Sequence, residues 1–125
     1  MPYDLIDKII EKQRNDLENK RIQTLSYLKE VLVELAPKYG FSKVYIFGSI
    51  VKEGRFRSKS DVDIAVFDLK NENFFRLMSD IYNFLGREID LCQIEKIDKY
   101  LRKRIEETGT LMIFNNLSRN CTKRS

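Results

Sequence analysis

The residues best suited to chemistry lie between Gly48 and Asp90. Asp61 and Asp63 sit two apart in a run, 61–67, where Val62, Ile64 and Val66 alternate with Asp61, Asp63 and Ala65. That period predicts a strand with the first three on one face and the second three on the other. Two carboxylates on one strand face repel each other unless a cation joins them. Mg2+, or Mn2+, is the natural bridge, since hard cations take one or two carboxylates and complete their shell with substrate phosphates. Gly48 and Ser49 follow a β-rich run, Lys43–Phe47, and open a turn. Glycine lets backbone approach a ligand closely, and a turn that starts a helix offers N–H groups to an anion, to which Ser49 adds a hydroxyl. Lys52, Arg55, Arg57 and Lys59, with only Glu53 opposing them, form a basic loop that could attract a polyphosphate. Asp90, between Ile89 and Leu91 in a third β-rich run, 88–94, reaches the same centre if that strand pairs beside 61–67. Taken singly, each feature has an ordinary reading as a turn, a solvated loop or a surface acid. Their joint order favours a metal-and-phosphate site.

Composition narrows the chemistry further. The chain has 125 residues and no histidine, which excludes a His general base, a Ser-His-Asp or Cys-His unit and an HExxH zinc site. Carboxylates, hydroxyls, Lys, Arg or Tyr must carry any catalysis. With 42% apolar and 34% charged residues the chain suits one soluble globular domain. The apolar runs fall far short of a membrane span, and the N-terminus has no signal-peptide apolar segment, so a cytoplasmic protein without membrane contact is expected. Cys92 and Cys121 are read as free thiols. The net charge of +4 is too small to argue for direct nucleic-acid binding, and residues 1–40 balance seven basic against seven acidic side chains.

The elements that must hold these residues follow from periodicity. Residues 3–35 read as helix, in one piece or two, with a stripe of Leu25, Leu28, Val31, Leu32 and Leu35 and another of Leu5, Ile6, Ile9, Ile10 and Leu17; Pro37 and Gly40 end it. The second stripe either packs on its own domain or is a contact surface. Strands are predicted at 43–47, 61–67, 88–94 and 110–114. A helix capped by Asn71 or Asn73 runs to Leu85 with Phe74, Phe75, Leu77, Met78, Ile81 and Tyr82 on its apolar face. Another spans 97–107 with Tyr100, Leu101 and Ile105 inward. The expected fold is therefore α+β, a small mixed sheet flanked by helices, divided into an N-terminal helical extension (1–24), a domain (25–114) and a polar basic tail (115–125).

With these motifs in place, the chain resembles the minimal nucleotidyltransferases (MNT) of the DNA polymerase β-like superfamily. The matching residues are Phe47-Gly48-Ser49, then Ser60-Asp61-Val62-Asp63-Ile64-Ala65-Val66, then Ile89-Asp90-Leu91. The resemblance covers residues 25–114. Eleven residues separate Ser49 from Asp61, one more than in many members. The extra residue falls in the turn.

This resemblance implies a polymerase β-like nucleotidyltransferase fold and an enzyme using Mg2+, one ion or two, and ATP. Asp61 and Asp63 would hold the metal, and Asp90 would complete the site and help deprotonate the attacking hydroxyl. Gly48 and Ser49 would bind the β- and γ-phosphates, with Lys52, Arg55 and Arg57 as charge partners. Many small members are antitoxins of HEPN ribonuclease toxins, and some transfer AMP to a tyrosine of the toxin. HEPN nucleases use histidine, so a chain without it resembles the antitoxin half. Two alternatives stay open: a binding-only antitoxin that neutralises by contact, and a nucleotidyltransferase acting on a small molecule. Oligomerisation, with itself or with a partner, is equally open.

Overall fold

The computed structural model describes residues 2–57 and 60–114. A single helix, α1 (Pro2–Tyr39), opens the chain. No glycine interrupts it before Gly40, where φ turns to +78° and the Gly40 N–H donates to the Ala36 carbonyl at 2.7 Å. Pro37, expected to stop the helix, lies inside its last turn. Burial of Ala36 and Tyr39 on either side holds that turn against the loss of one N–H donor. The 24/25 boundary expected between extension and domain falls within this unbroken helix.

Four short strands form one sheet in the order β3-β2-β1-β4. They are β1 (Lys43–Phe47), β2 (Val62–Phe67), β3 (Ile89–Gln93) and β4 (Thr110–Ile113). β1 runs antiparallel to β2 and β4, and β2 runs parallel to β3. That parallel pair needs a crossover, which α2 (Phe74–Leu85) supplies. Alternation then sorts the side chains. Val44, Ile46, Val62, Ile64, Val66 and Leu91 face α1 and α2, where they pack with Leu28, Leu32, Leu77 and Ile81 in the main core. Each fully buried Leu or Ile contributes about 1.5–3 kcal/mol. The opposite face carries a smaller cluster, in which Ala65, Ile94 and Ile105 pack with Tyr45, Phe47, Phe67, Cys92 and Ile97 under α3 (Lys99–Thr108). Ala65 is therefore covered by α3, although it shares a face with Asp63.

Several helix details differ from expectation. α3 starts at Lys99 because Asp98 is extended and its carboxylate accepts the Leu101 N–H at 2.8 Å, capping the helix. Ile94 leaves β3 for a 3₁₀ turn, Ile94–Lys96. Tyr100 and Leu101 face solvent, and Ile105 is the buried residue of α3; the second face of the sheet is small, and one helical turn covers it. Phe75 and Tyr82 of α2 are likewise exposed, and its Leu77 and Ile81 make the buried contacts. Neither Asn71 nor Asn73 caps α2 through its side chain. Asn71 Oδ1 instead accepts from Gln93 Nε2 at 3.0 Å and Lys96 Nζ at 2.6 Å, tying the start of α2 to the end of β3. Residues 115–125, with Cys121, and Lys59 lie outside the described residues. Among the described residues, no helix is long and apolar enough to cross a membrane.

Candidate active site

The parallel pairing of β2 with β3 sets Asp63 opposite Asp90. Paired residues on neighbouring strands, about 4.8 Å apart, project from the same sheet face. Asp61 lies just before β2, exposed, and Asp90 is exposed, while Asp63 is half-buried. On its other side Asp63 faces Phe47, the last residue of β1. The chain then turns sharply at Gly48, with φ +84°. A Cβ at Gly48 would stand 2.2 Å from Asp63 Oδ2, so only glycine fits both the backbone angle and the space. From there a 3₁₀ turn, Gly48–Val51, carries Ser49 directly after Gly48 and is anchored by the buried Ile50. The structure thus gathers Gly48, Ser49, Asp61, Asp63 and Asp90 at one end of one sheet face.

Electrostatics confirm this crowding. Burial, then the Asp90 and Asp61 carboxylates, push the Asp63 carboxyl up to about 6. The Cys92 thiol, two residues beyond Asp90 and on the same face, is pushed up to about 11 by burial and by the Asp90 and Asp63 carboxylates. All the influences on Asp63 disfavour its charge, and a nearby cation would oppose them. Among the described residues no three carboxylate or thiol groups converge to enclose an ion by themselves. The set is open, and that suits a hard cation that keeps positions for phosphate oxygens. Asp63 and Asp90, which the strand register sets opposite each other, with Asp61 close enough to raise the Asp63 pKa, are the acidic groups gathered there.

The basic loop is placed less uniformly. Lys52 and Arg55 are exposed beyond the 3₁₀ turn. Arg57 turns back on its own loop, its Nη1 donating to the Gly54 carbonyl at 3.0 Å and the Phe56 carbonyl at 3.2 Å. It lines an open groove of about 700 Å³ beneath α1, with Ile10, Arg14 and Leu17, and no ion pair among the described residues joins it to the carboxylates. Two residues that sequence reasoning missed hold this loop. Phe56 is buried, and the Arg87 guanidinium stacks 4.5 Å from its ring centroid. Arg87 Nη1 also donates to the Ser60 carbonyl at 2.9 Å, just ahead of Asp61; burial lowers its pKa. A lone aromatic residue in a polar loop was the available signal for Phe56. Nothing local marks Arg87.

Residues 29–117 match the family Polymerase beta, Nucleotidyltransferase. The chain belongs to that family. Solved structures agree on the nucleotidyltransferase fold. One, a toxin-antitoxin with AMP-PNP, superposes with a TM-score of 0.59 at 21% identity, covering 71% of this chain and 75% of that one. A second, a tri-AMPylated Shewanella oneidensis HEPN toxin in complex with an MNT antitoxin, gives 0.54 at 20% identity over 81% and 78%. A third, the toxin-antitoxin MntA-HepT, gives 0.53 at 20% identity over 77% and 74%. No match is found among curated proteins. The family match begins at residue 29, so the N-terminal two-thirds of α1 lies before it.

Proposed function

We propose that this nucleotidyltransferase is the antitoxin of a HEPN/MNT pair and transfers AMP from ATP, with Mg2+, to a tyrosine hydroxyl of its HEPN ribonuclease toxin in the cytoplasm. The observation that carries the reading is the register of Asp63 with Asp90 against the bare backbone of Gly48. Neutralisation by contact requires none of that arrangement. The toxin as acceptor rests on the structural neighbours, which include an AMPylated HEPN toxin with its MNT antitoxin.

In this reading Gly48 and Ser49 hold the β- and γ-phosphates, and Lys52 and Arg55 meet their charge from the same loop. Arg57 joins them only by leaving the Gly54 and Phe56 carbonyls. Asp61, Asp63 and Asp90 would hold Mg2+, one ion or two, which when bound neutralises charge on the α-phosphate and the leaving pyrophosphate. The acceptor oxygen forms a bond to the α-phosphorus as the bond to the oxygen bridging the β-phosphorus breaks. Pyrophosphate leaves, and Asp90, at the exposed side of the pair, takes the hydroxyl proton.

Substitution separates the roles. Asp61→Asn or Asp63→Asn should reduce AMP transfer by about a thousandfold or more while the protein stays folded. Asp90→Asn should retain ATP binding far better than turnover. Full activity in the Asp63 variant would overturn the metal assignment, and equal loss of binding and turnover at Asp90 would overturn its role as base. Calorimetric ATP titration and intact mass of the toxin read both quantities.

A further inference from the structure

We propose that Glu18 and Arg21, on the part of α1 that precedes the family match, are positioning residues for the triphosphate loop. The inference rests on the proposed role of Gly48 and Ser49 in phosphate binding. It makes this part of the helix a working component of the site.

The contacts cross from α1 to the loop at two points. Arg21 Nη1 donates to the Ile50 carbonyl at 3.1 Å, inside the 3₁₀ turn that begins at Gly48. Glu18 Oε2 accepts the Gly54 N–H at 3.4 Å, beyond Lys52. The two side chains fix each other: Arg21 Nε lies 2.5 Å from Glu18 Oε1 and 3.1 Å from Oε2, and Arg21 Nη2 lies 2.5 Å from Oε1. They are only 14% and 23% exposed, so the pair is shielded from the screening that weakens surface ion pairs.

The buried Ile50 and Phe56 anchor this stretch in the core, and between them its backbone bonds are Lys52 N–H to Ser49 O and Arg55 N–H to Lys52 O, both at 3.1 Å. Binding Ile50's carbonyl toward α1 sets the plane of the following peptide, and hence the course of a four-residue turn whose first two residues are Gly48 and Ser49. Arg87 clamps the far end of the loop at Ser60; Arg21 and Glu18 clamp the near end. The pair is also neutral overall, so it orders the loop without competing with Lys52 and Arg55 for phosphate charge. A guanidinium suits this role because its planar fork engages a carboxylate and a carbonyl together, which an ammonium does poorly.

The test uses the full chain, with Mg2+ and α,β-methylene-ATP, which cannot release pyrophosphate. Calorimetry gives affinity, amide hydrogen exchange reports on residues 48–57, and turnover is measured with ATP and the partner toxin. Arg21→Ala should weaken analogue binding about tenfold and speed exchange in 48–57 while β1 and β2 exchange as in the wild type. Turnover at saturating ATP should fall less than about threefold, and Arg21→Lys should recover part of the affinity. Wild-type binding with Arg21→Ala within about twofold of it would overturn the inference alone. So would faster exchange throughout the sheet, which would make the pair merely structural. Failure of the wild type to bind the analogue would overturn the phosphate role of Gly48 and Ser49, and the inference with it.

Discussion

The two halves of α1 carry similar apolar stripes and meet opposite fates. In the C-terminal half, Leu28 and Leu32 are fully buried against the sheet. In the N-terminal half, Leu5 is 62% and Ile9 50% exposed. The cause is length. A helix of 38 residues extends about 57 Å, whereas strands of four to six residues span about 13–20 Å. Only one half has a sheet to lie on. Periodicity therefore tells which side of a helix is apolar, and the reach of the neighbouring elements decides how much of it is covered. Near the middle of the helix, Glu18 and Arg21 meet the domain through charge and hydrogen bonds to the loop beside the site.

The sharpest way to break this contrast is to truncate each stripe. Leu32→Ala should destabilise the protein by about 2–5 kcal/mol in urea unfolding, whereas Ile9→Ala should stay within about 0.5 kcal/mol of wild type. An Ile9 cost close to that of Leu32 would mean that the first half is covered in solution. The next effect tests the crowded carboxylates over the covered half. With its carboxyl raised to about 6, Asp63 binds its proton more tightly in the folded than in the unfolded chain. Its contribution to stability is present below the ordinary value near 3.8 and is lost as pH rises through about 6. In metal-free buffer at pH 7, Asp63→Asn should thus be more stable than wild type by about 1 kcal/mol after allowing for solvent screening, and the gain should vanish near pH 4. Thermal melts across that range check the sign, and a variant less stable at pH 7 would contradict it.

A comparable or smaller effect sits at the covered end of α1. The Tyr39 hydroxyl donates to Asp80 Oδ2, joining α1 to α2, and Lys38 Nζ lies 3.1 Å from the same oxygen. The hydrogen bond from Tyr39, followed by Lys38, holds the Asp80 carboxyl below its usual range against the opposing effect of burial. That contribution is present above the ordinary carboxylate range and is lost as pH falls through the lowered value. Tyr39→Phe should cost about 0.5–1.5 kcal/mol at pH 7, with the gap closing on acidification. The smallest effect concerns Cys92. With its thiol pushed up to about 11, it should react with a thiol reagent at pH 7.5 many times more slowly than a free cysteine when measured in a Cys121→Ser background.

Much of this architecture was legible in the residues because it is local. Val62, Ile64 and Val66 announce the core face of β2 by alternation, and all three are fully buried. Gly48 announces a turn, though the carboxylate that crowds a side chain there belongs to the neighbouring strand. The opposition of Asp63 and Asp90 depends on which strands become neighbours, a choice made by the α2 crossover and absent from any window of sequence. Arg87, Glu18 and Arg21 were invisible for the same reason: each acts on backbone groups tens of residues away. Tyr100 and Leu101 misled because their spacing is that of an inward face, while the small cluster of Ala65, Ile94 and Ile105 leaves them no partner surface.

The central claim is nucleotidyl transfer at the Asp61, Asp63 and Asp90 face. Its most direct test incubates the protein and its proposed HEPN partner with Mg2+ and ATP labelled at either the α- or the γ-phosphate. The account predicts label on the partner from the α-phosphate and none from the γ-phosphate, abolished by Asp63→Asn. No label from either position, with the partner's ribonuclease still fully inhibited, would contradict it and leave the fold acting by contact alone.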